Sequence, residues 1–328
     1  MTPTASSAAP PSTQPVPTLA SAPVSDPPVG AAIDPGVGRL VWLVDRAGSL
    51  GVWTTDLAGG DVRQYLANLD EDGMALRDAR LVGNDVVLIR EAASAPTAEL
   101  WVVSPTAPMR LLLDAVESFV VNGEGEVLAV RDQGSSRAIW RVPTGAAPPA
   151  VIAELPLPGD GPELGPFGFA ISPDGRTVAA GWVGGPLEVI GPARSSLRDL
   201  GAPLVVADDG RLVAVTGRAG EAYLVDGDRL VDLAPPDSDP VTLPGSGTVA
   251  WPTVGEDGAL TAVEVRDLLA GTSETYRADG LATNVRQVSA SHVILEATAF
   301  DPLSRTVGIV DRRDGRFATF QVTAPAAD

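Results

Sequence analysis

The sequence predicts an all-β chain: a seven-bladed β-propeller built from short strands that recur in sets of four. Three observations carry this. A phrase of apolar strand, Gly-containing turn and second strand returns about every forty-odd residues, the mark of a repeat architecture. Its clearest copies are LGVWTTDLAGG from Leu50, RAIWRVPTG from Arg137 and TVGIVDRRDG from Thr306. Each unit holds one run too continuously apolar for a solvent-washed face. The 35 Gly and 30 Pro among 328 residues make turns dense and disfavour long helices.

The apolar middle runs are Val41–Val44, Val86–Ile89, Val127–Val130, Thr177–Val183, Leu212–Val215, Thr248–Val254 and Val293–Ala299. Two more strands follow each. They are Gly51–Asp56 and Val62–Leu66; Glu99–Val103 and Arg110–Leu113; Ala138–Val142 and Val151–Leu155; Leu187–Ile190 and Leu197–Leu200. The later sets continue with Ala222–Val225 and Leu230–Leu233, Leu260–Val265 and Glu274–Tyr276, then Val307–Asp311 and Phe317–Val322. Six sets have a clear preceding strand: Ala79–Leu81, Phe119–Val121, Phe169–Ile171, Leu204–Val206, Val241–Leu243 and Val285–Val288. Ala31–Ile33 is a weaker candidate for the first set. Closing the ring would leave only short edges open to aggregation. The sixth set can also be parsed with Gly247–Val254 as a first strand, so six or eight blades stay open.

Residues 1–34 are Pro-, Ser-, Thr- and Ala-rich and are expected to form a disordered tether, too poor in apolar area to offset its ordering entropy. The propeller would span 35–323, leaving a short tail at 324–328. Such a tether suits a protein held outside the cytoplasmic membrane by an upstream anchor; a cytoplasmic location follows if Met1 is the true start. No stretch has the length of a membrane span.

Composition excludes several chemistries. With no Cys there is no disulfide, thiolate nucleophile or thiolate metal site. All 23 basic residues are Arg, which removes a Schiff-base lysine and a Walker A loop. His292 is the single imidazole, so any Ser–His–Asp triad would have to use it. It lies in the turn Ser289–His292, where a hydrogen-bonded turn histidine is the favoured reading. A net charge of −19 repels nucleic acid and favours basic partners or cations.

The segment Phe169–Trp182, FAISPDGRTVAAGW, resembles a TolB-type, WD40-like propeller repeat at Phe169, Ser172, Pro173, Asp174, Gly175 and Arg176. Val52, Trp53, Asp56 and Gly59 fit the following element, as do Ile309, Val310, Asp311 and Gly315 with one residue added. Ala207–Gly210 and Asn122–Gly125 are more degenerate copies of the turn. The resemblance implies a fold with a habit of binding proteins or sugars, and it implies no shared catalytic residues. The motif's own chemistry is that of a turn: Pro173 presets φ and Gly175 supplies a positive one.

Trp53, Trp101 and Trp140 occupy one place in three consecutive units, where they are expected to fill gaps between blades. Asp70–Gly73 resembles half a calcium loop; Ca²⁺ is weighed there, but the third acidic ligand and terminal Glu are missing. Three outer-to-inner crossings, Ala67–Leu76, Leu157–Phe167 and Pro235–Gly247, carry Asp70, Glu71, Asp72, Asp160, Glu163, Asp237 and Asp239. These are expected to form an acidic rim around one mouth of the channel, facing a cation or a basic protein segment. A monomeric, non-catalytic binding or scaffold module follows, without cofactor. Two alternatives stay open: a hydrolase or lyase with a metal or carboxylate site in the channel, and a secreted carbohydrate-binding module.

Overall fold

A computed structural model describes residues 30–34, 38–46, 49–57, 63–69, 74–92, 97–122, 125–157, 167–191, 195–198, 201–217, 221–226, 229–233, 240–256, 260–281, 283–297 and 304–323. Every regular element among them is a β-strand. The first sheet holds β1 (Gly30–Asp34), β2 (Arg39–Arg46), β3 (Ser49–Asp56) and β4 (Arg63–Leu69) in that order. A seven-stranded sheet follows: β5 (Met74–Val82), β6 (Asp85–Ala92), β7 (Ala98–Ser104), β8 (Ala107–Val121), β9 (Val127–Asp132), β10 (Ser136–Val142) and β11 (Ala150–Pro156). Then come four sheets of four strands. They are β12 (Phe167–Ile171), β13 (Val178–Trp182), β14 (Pro186–Ile190) and β15 (Ser195–Arg198); and β16 (Ala202–Val206), β17 (Leu212–Thr216), β18 (Ala222–Asp226) and β19 (Arg229–Asp232). The last two are β20 (Val241–Leu243), β21 (Thr248–Val254), β22 (Leu260–Asp267) and β23 (Thr272–Leu281); and β24 (Thr283–Val288), β25 (His292–Ala297), β26 (Ser304–Asp311) and β27 (Phe317–Thr323).

Among the described residues all the pairings are antiparallel between consecutive strands, and no sheet mixes strands from the two ends of the chain. The wide sheet contains two such groups sharing β8. That strand pairs with β7 through Ala107–Val116 and with β9 through Val116–Val121. Between the halves Ala115 has φ 53°, a left-handed angle that re-aims the chain without a loop. The sequence expectation of separate strands at Arg110–Leu113 and Phe119–Val121 is corrected here to one continuous strand.

Apolar clusters join each group to the next. Val41 and Val52 pack with Leu76 and Leu88; Ile139 and Leu155 with Ile171 and Trp182; Ala170 and Leu187 with Val206 and Val215. Val205 and Leu233 meet Val249 and Trp251, and Val265 and Tyr276 meet Val285 and Leu295. β1 lies against both β5 and β24, which returns the last sheet to the first. The second strands explain the continuous apolar runs. They are sandwiched on both faces, and all five residues of β13 are buried. Each fully buried aliphatic there contributes about 1.5–3 kcal/mol.

Other boundaries move. β1 begins at Gly30, so Gly30–Asp34 belong to a sheet and not to the expected tether. β20 is the first strand of its sheet and Thr248–Val254 the second, which settles the two parsings of that set. β4 runs on to Leu69 and β5 starts at Met74, so the first acidic crossing is shorter than Ala67–Leu76.

Candidate functional site

Within each group the first and third strands run one way and the second and fourth return. Turns from first to second and from third to fourth strand therefore gather at one end of the ring, the turn end. The remaining connections, including every outer-to-inner crossing, gather at the other, the crossing end.

Three first-to-second turns share one geometry. Asn122, Ser172 and Ala207 donate their N–H to the carbonyls of Glu126, Thr177 and Arg211 at 2.9–3.0 Å. Gly125, Gly175 and Gly210 close each turn at φ 79°, 70° and 83°. Only Gly takes such angles without strain, which is why degenerate copies keep this residue. Neighbouring turns are tied together. Asp208 Oδ1 accepts the Asp174 N–H at 3.0 Å, and Arg141 pairs with Glu126. The Ser172 hydroxyl, then the Arg176 N–H, hold the Asp174 carboxyl below its ordinary range.

Beside these turns the first strands border a small cavity of about 40 Å³, open to solvent. Val120, Phe169, Ile171, Leu204 and Leu243 line it, with the turn Pro244–Gly247 at its edge. A Cβ on Gly245 would sit 3.5 Å from Asn122 and 3.6 Å from the Ser172 carbonyl, so that turn packs against its neighbours. The lining is aliphatic and aromatic, with Thr242 as a polar side chain.

The crossing end is different. Asp114, Glu117, Asp132, Glu154, Glu221, Asp232 and Glu256 are exposed there, whereas Arg90, Arg131 and Arg137 are only partly so. Arg131 pairs with Asp114 at 2.7 Å and lies 5.5 Å over the Trp140 ring. Arg137 pairs with Glu117 and lies 6.0 Å over Phe167 and 5.9 Å over Trp182. Arg90 lies 5.2 Å over Trp101. The guanidiniums rest on aromatic faces and leave carboxylates as the outermost charges. Arg110, Arg141, Arg176, Arg211, Arg229, Arg313 and Arg316, all exposed, lie at the turn end.

The seven acidic residues singled out from the sequence, Asp70, Glu71, Asp72, Asp160, Glu163, Asp237 and Asp239, lie outside the described residues. So does the Asp70–Gly73 segment weighed for Ca²⁺. Their crossings join β4 to β5, β11 to β12 and β19 to β20. Sequence reasoning missed Asp114, Glu117, Asp132 and Glu154 because only topology shows which strand ends converge. Trp101 and Trp140 pack, partly buried, against the apolar clusters between sheets. Among the described residues no group of three or more Asp, Glu or His could hold a metal ion.

His292 has Ser291 Oγ at 2.8 Å from Nδ1 and Asp311 Oδ2 at 3.9 Å from Nε2. The carboxylate is beyond hydrogen-bond range and already accepts Arg313 at 2.6 and 3.0 Å. This is a satisfied turn histidine, not an oriented triad.

No family model matches the chain, and no curated protein matches it in sequence. Solved structures do. The β-propeller domain of the trilobed protease from Pyrococcus furiosus, described as having an open velcro topology, is 14% identical with a TM-score of 0.61. The match covers 90% of this chain and 97% of that one. A prolyl endopeptidase matches over 92% of this chain and 51% of its own, at 12% identity and TM-score 0.59. Pyrococcus horikoshii acylaminoacyl peptidase matches over 89% and 51%, at 13% and 0.54. The chain thus spans about half the length of these two peptidases. At such identities the likeness defines the fold alone: this is a β-propeller protein. Among the described residues, no helix is long and apolar enough to cross a membrane.

Proposed function

We propose that the chain is a seven-bladed β-propeller, counting the two groups joined through β8 separately, and that it acts as a non-catalytic binding or scaffold module. Its crossing end presents carboxylates to a basic segment of a protein partner. One observation carries this reading: seven exposed carboxylates lie at that end, against one exposed arginine, Arg277 in the crossing-end half of β23, among the described side chains. The net charge of −19 adds long-range attraction for such a partner. We assign Asp70, Glu71, Asp72, Asp160, Glu163, Asp237 and Asp239 to the same rim because their crossings leave and enter that end. The small cavity at the turn end has no ionisable side chain in its lining, which counts against acid–base or metal chemistry there. The Pro- and Ser-rich N-terminal segment fits a tethered, extracytoplasmic monomer.

A hexa-arginine peptide tests the reading. Replacing the seven crossing residues by Asn or Gln, as appropriate, is expected to weaken its binding at low salt by about tenfold or more, and raising salt should weaken wild-type binding likewise. Unchanged affinity in the substituted protein overturns the acidic rim.

A further inference from the structure

The last two sheets are fastened together at the turn end, and the chain's single imidazole sits in the fastening. Arg312, in the turn after β26, donates from Nη1 to the Ser289 carbonyl at 2.9 Å and from Nη2 to Glu274 on β23 at 3.2 Å. The Tyr276 hydroxyl of β23 reaches the Arg312 carbonyl at 3.2 Å and also bonds Glu274. The Arg312 N–H bonds the Ser291 carbonyl at 2.8 Å, and the His292 N–H bonds Ser289 Oγ at 2.9 Å. His292 and Asp311 are directly opposite across β25 and β26. One small block of residues therefore fixes the first turn of the last sheet, its third-to-fourth turn and the outer strand of the sheet before.

We propose that this block is an acid-sensitive latch: protonation of His292 loosens the last sheet, β24–β27, from the sheet before it. The imidazole side chain is 11% exposed, so a charge placed on it is largely cut off from water. The groups facing it do not compensate. Asp311, 3.9 Å away, is engaged by Arg313, and the Arg312 and Arg313 cations share the turn. Burial, the largest influence, holds the His292 pKa below 6.5; the Asp311 carboxylate pulls it up less, and Arg313 pushes it down.

The direction follows from linkage. The folded imidazole resists a proton that the unfolded chain accepts near pH 6.5. The latch is therefore intact above that pH, and its contribution is lost as pH falls through the lower folded value. The carboxylates of the block are already ionised in this range. Asp311 is held at about 2 by Arg313, and Glu274 is held low by the Tyr276 hydroxyl. Tyr276 is pushed upward by burial and stays neutral. With one His, no Cys and no Lys in the sequence, His292 is the only side chain whose ordinary pKa falls near 6.5.

Hydrogen exchange across residues 283–323, compared between about pH 7.5 and about pH 5 after correction for intrinsic rates, tests this. Wild type is expected to lose protection several-fold at the lower pH, and His292→Gln to show no such change. An NMR titration of the imidazole is expected to give a midpoint below 6.5. Should His292→Gln fail to fold, Asp311→Asn serves: losing the carboxylate moves the imidazole midpoint further down and the protection change with it, which a purely structural role does not do. A midpoint at or above 6.5, or equal loss of protection in His292→Gln, overturns the latch.

Discussion

The two ends of the ring carry the same kinds of charge and use them in opposite ways. At the turn end carboxylates are enlisted by the fold: Asp174 takes the Ser172 hydroxyl at 2.6 Å, Asp208 reaches the next turn, and Asp311 holds Arg313. At the crossing end Asp132, Glu154 and Glu256 point outward, while Arg131 and Arg137 lie inward on aromatic rings. Tight turns bring backbone donors within reach of a short side chain, so a carboxylate there becomes structural. At the crossing end Asp132 takes the Gly134 N–H at 2.7 Å and Glu154 the Ser136 hydroxyl at 2.9 Å, yet both stay exposed, and the arginines beside them are only partly so. Carboxylates thus link one turn to another at one end, whereas at the other they bond locally and still form the outermost charge.

The largest effect expected from breaking this contrast is at Ser172. Its buried hydroxyl donates to Asp174 and accepts the Thr177 N–H at 3.0 Å. Ser172→Ala strands that buried N–H and is expected to cost about 1–3 kcal/mol in urea unfolding. Ala115 gives a smaller effect of opposite sign. At φ 53° its Cβ is strained, so Ala115→Gly is expected to stabilise by up to about 1 kcal/mol and Ala115→Val to destabilise, read from the same curves.

Acid sharpens the contrast next. Asp311 has a folded pKa of about 2 against an ordinary 3.8, so its contribution is present above 3.8 and lost as pH falls through about 2. Asp311→Asn should flatten that limb of a pH–stability profile. Glu256→Gln at the crossing end is the smallest expected change, within about 0.5 kcal/mol of wild type in urea unfolding. A larger loss there would show that the crossing-end carboxylates are structural after all.

Much of this fold is legible in the residues. The runs Val127–Val130 and Leu212–Val215 read as strands buried on both faces, and they are. The Ser172–Arg176 turn is legible because Pro, Asp and Gly each impose a backbone angle. The join at β8 is not, because nothing in Leu113–Val116 announces a left-handed alanine. Nor is the site. Arg137 and Phe167, or Glu274 and Arg312, meet only because different sheets bring them together.

The sequence by itself determined the strand sets, the turn chemistry and a net negative chain without Lys or Cys, since periodicity and preferred backbone angles are local properties. The tertiary structure decided which charges are spent on the fold and which face outward. That depends on antiparallel strands sending alternate connections to opposite ends, and on aromatic rings from neighbouring sheets drawing the arginines inward. His292 shows the same division. Its type and turn are written in Ser289–His292, but its burial and its nearness to Asp311 exist only once β25 and β26 are paired.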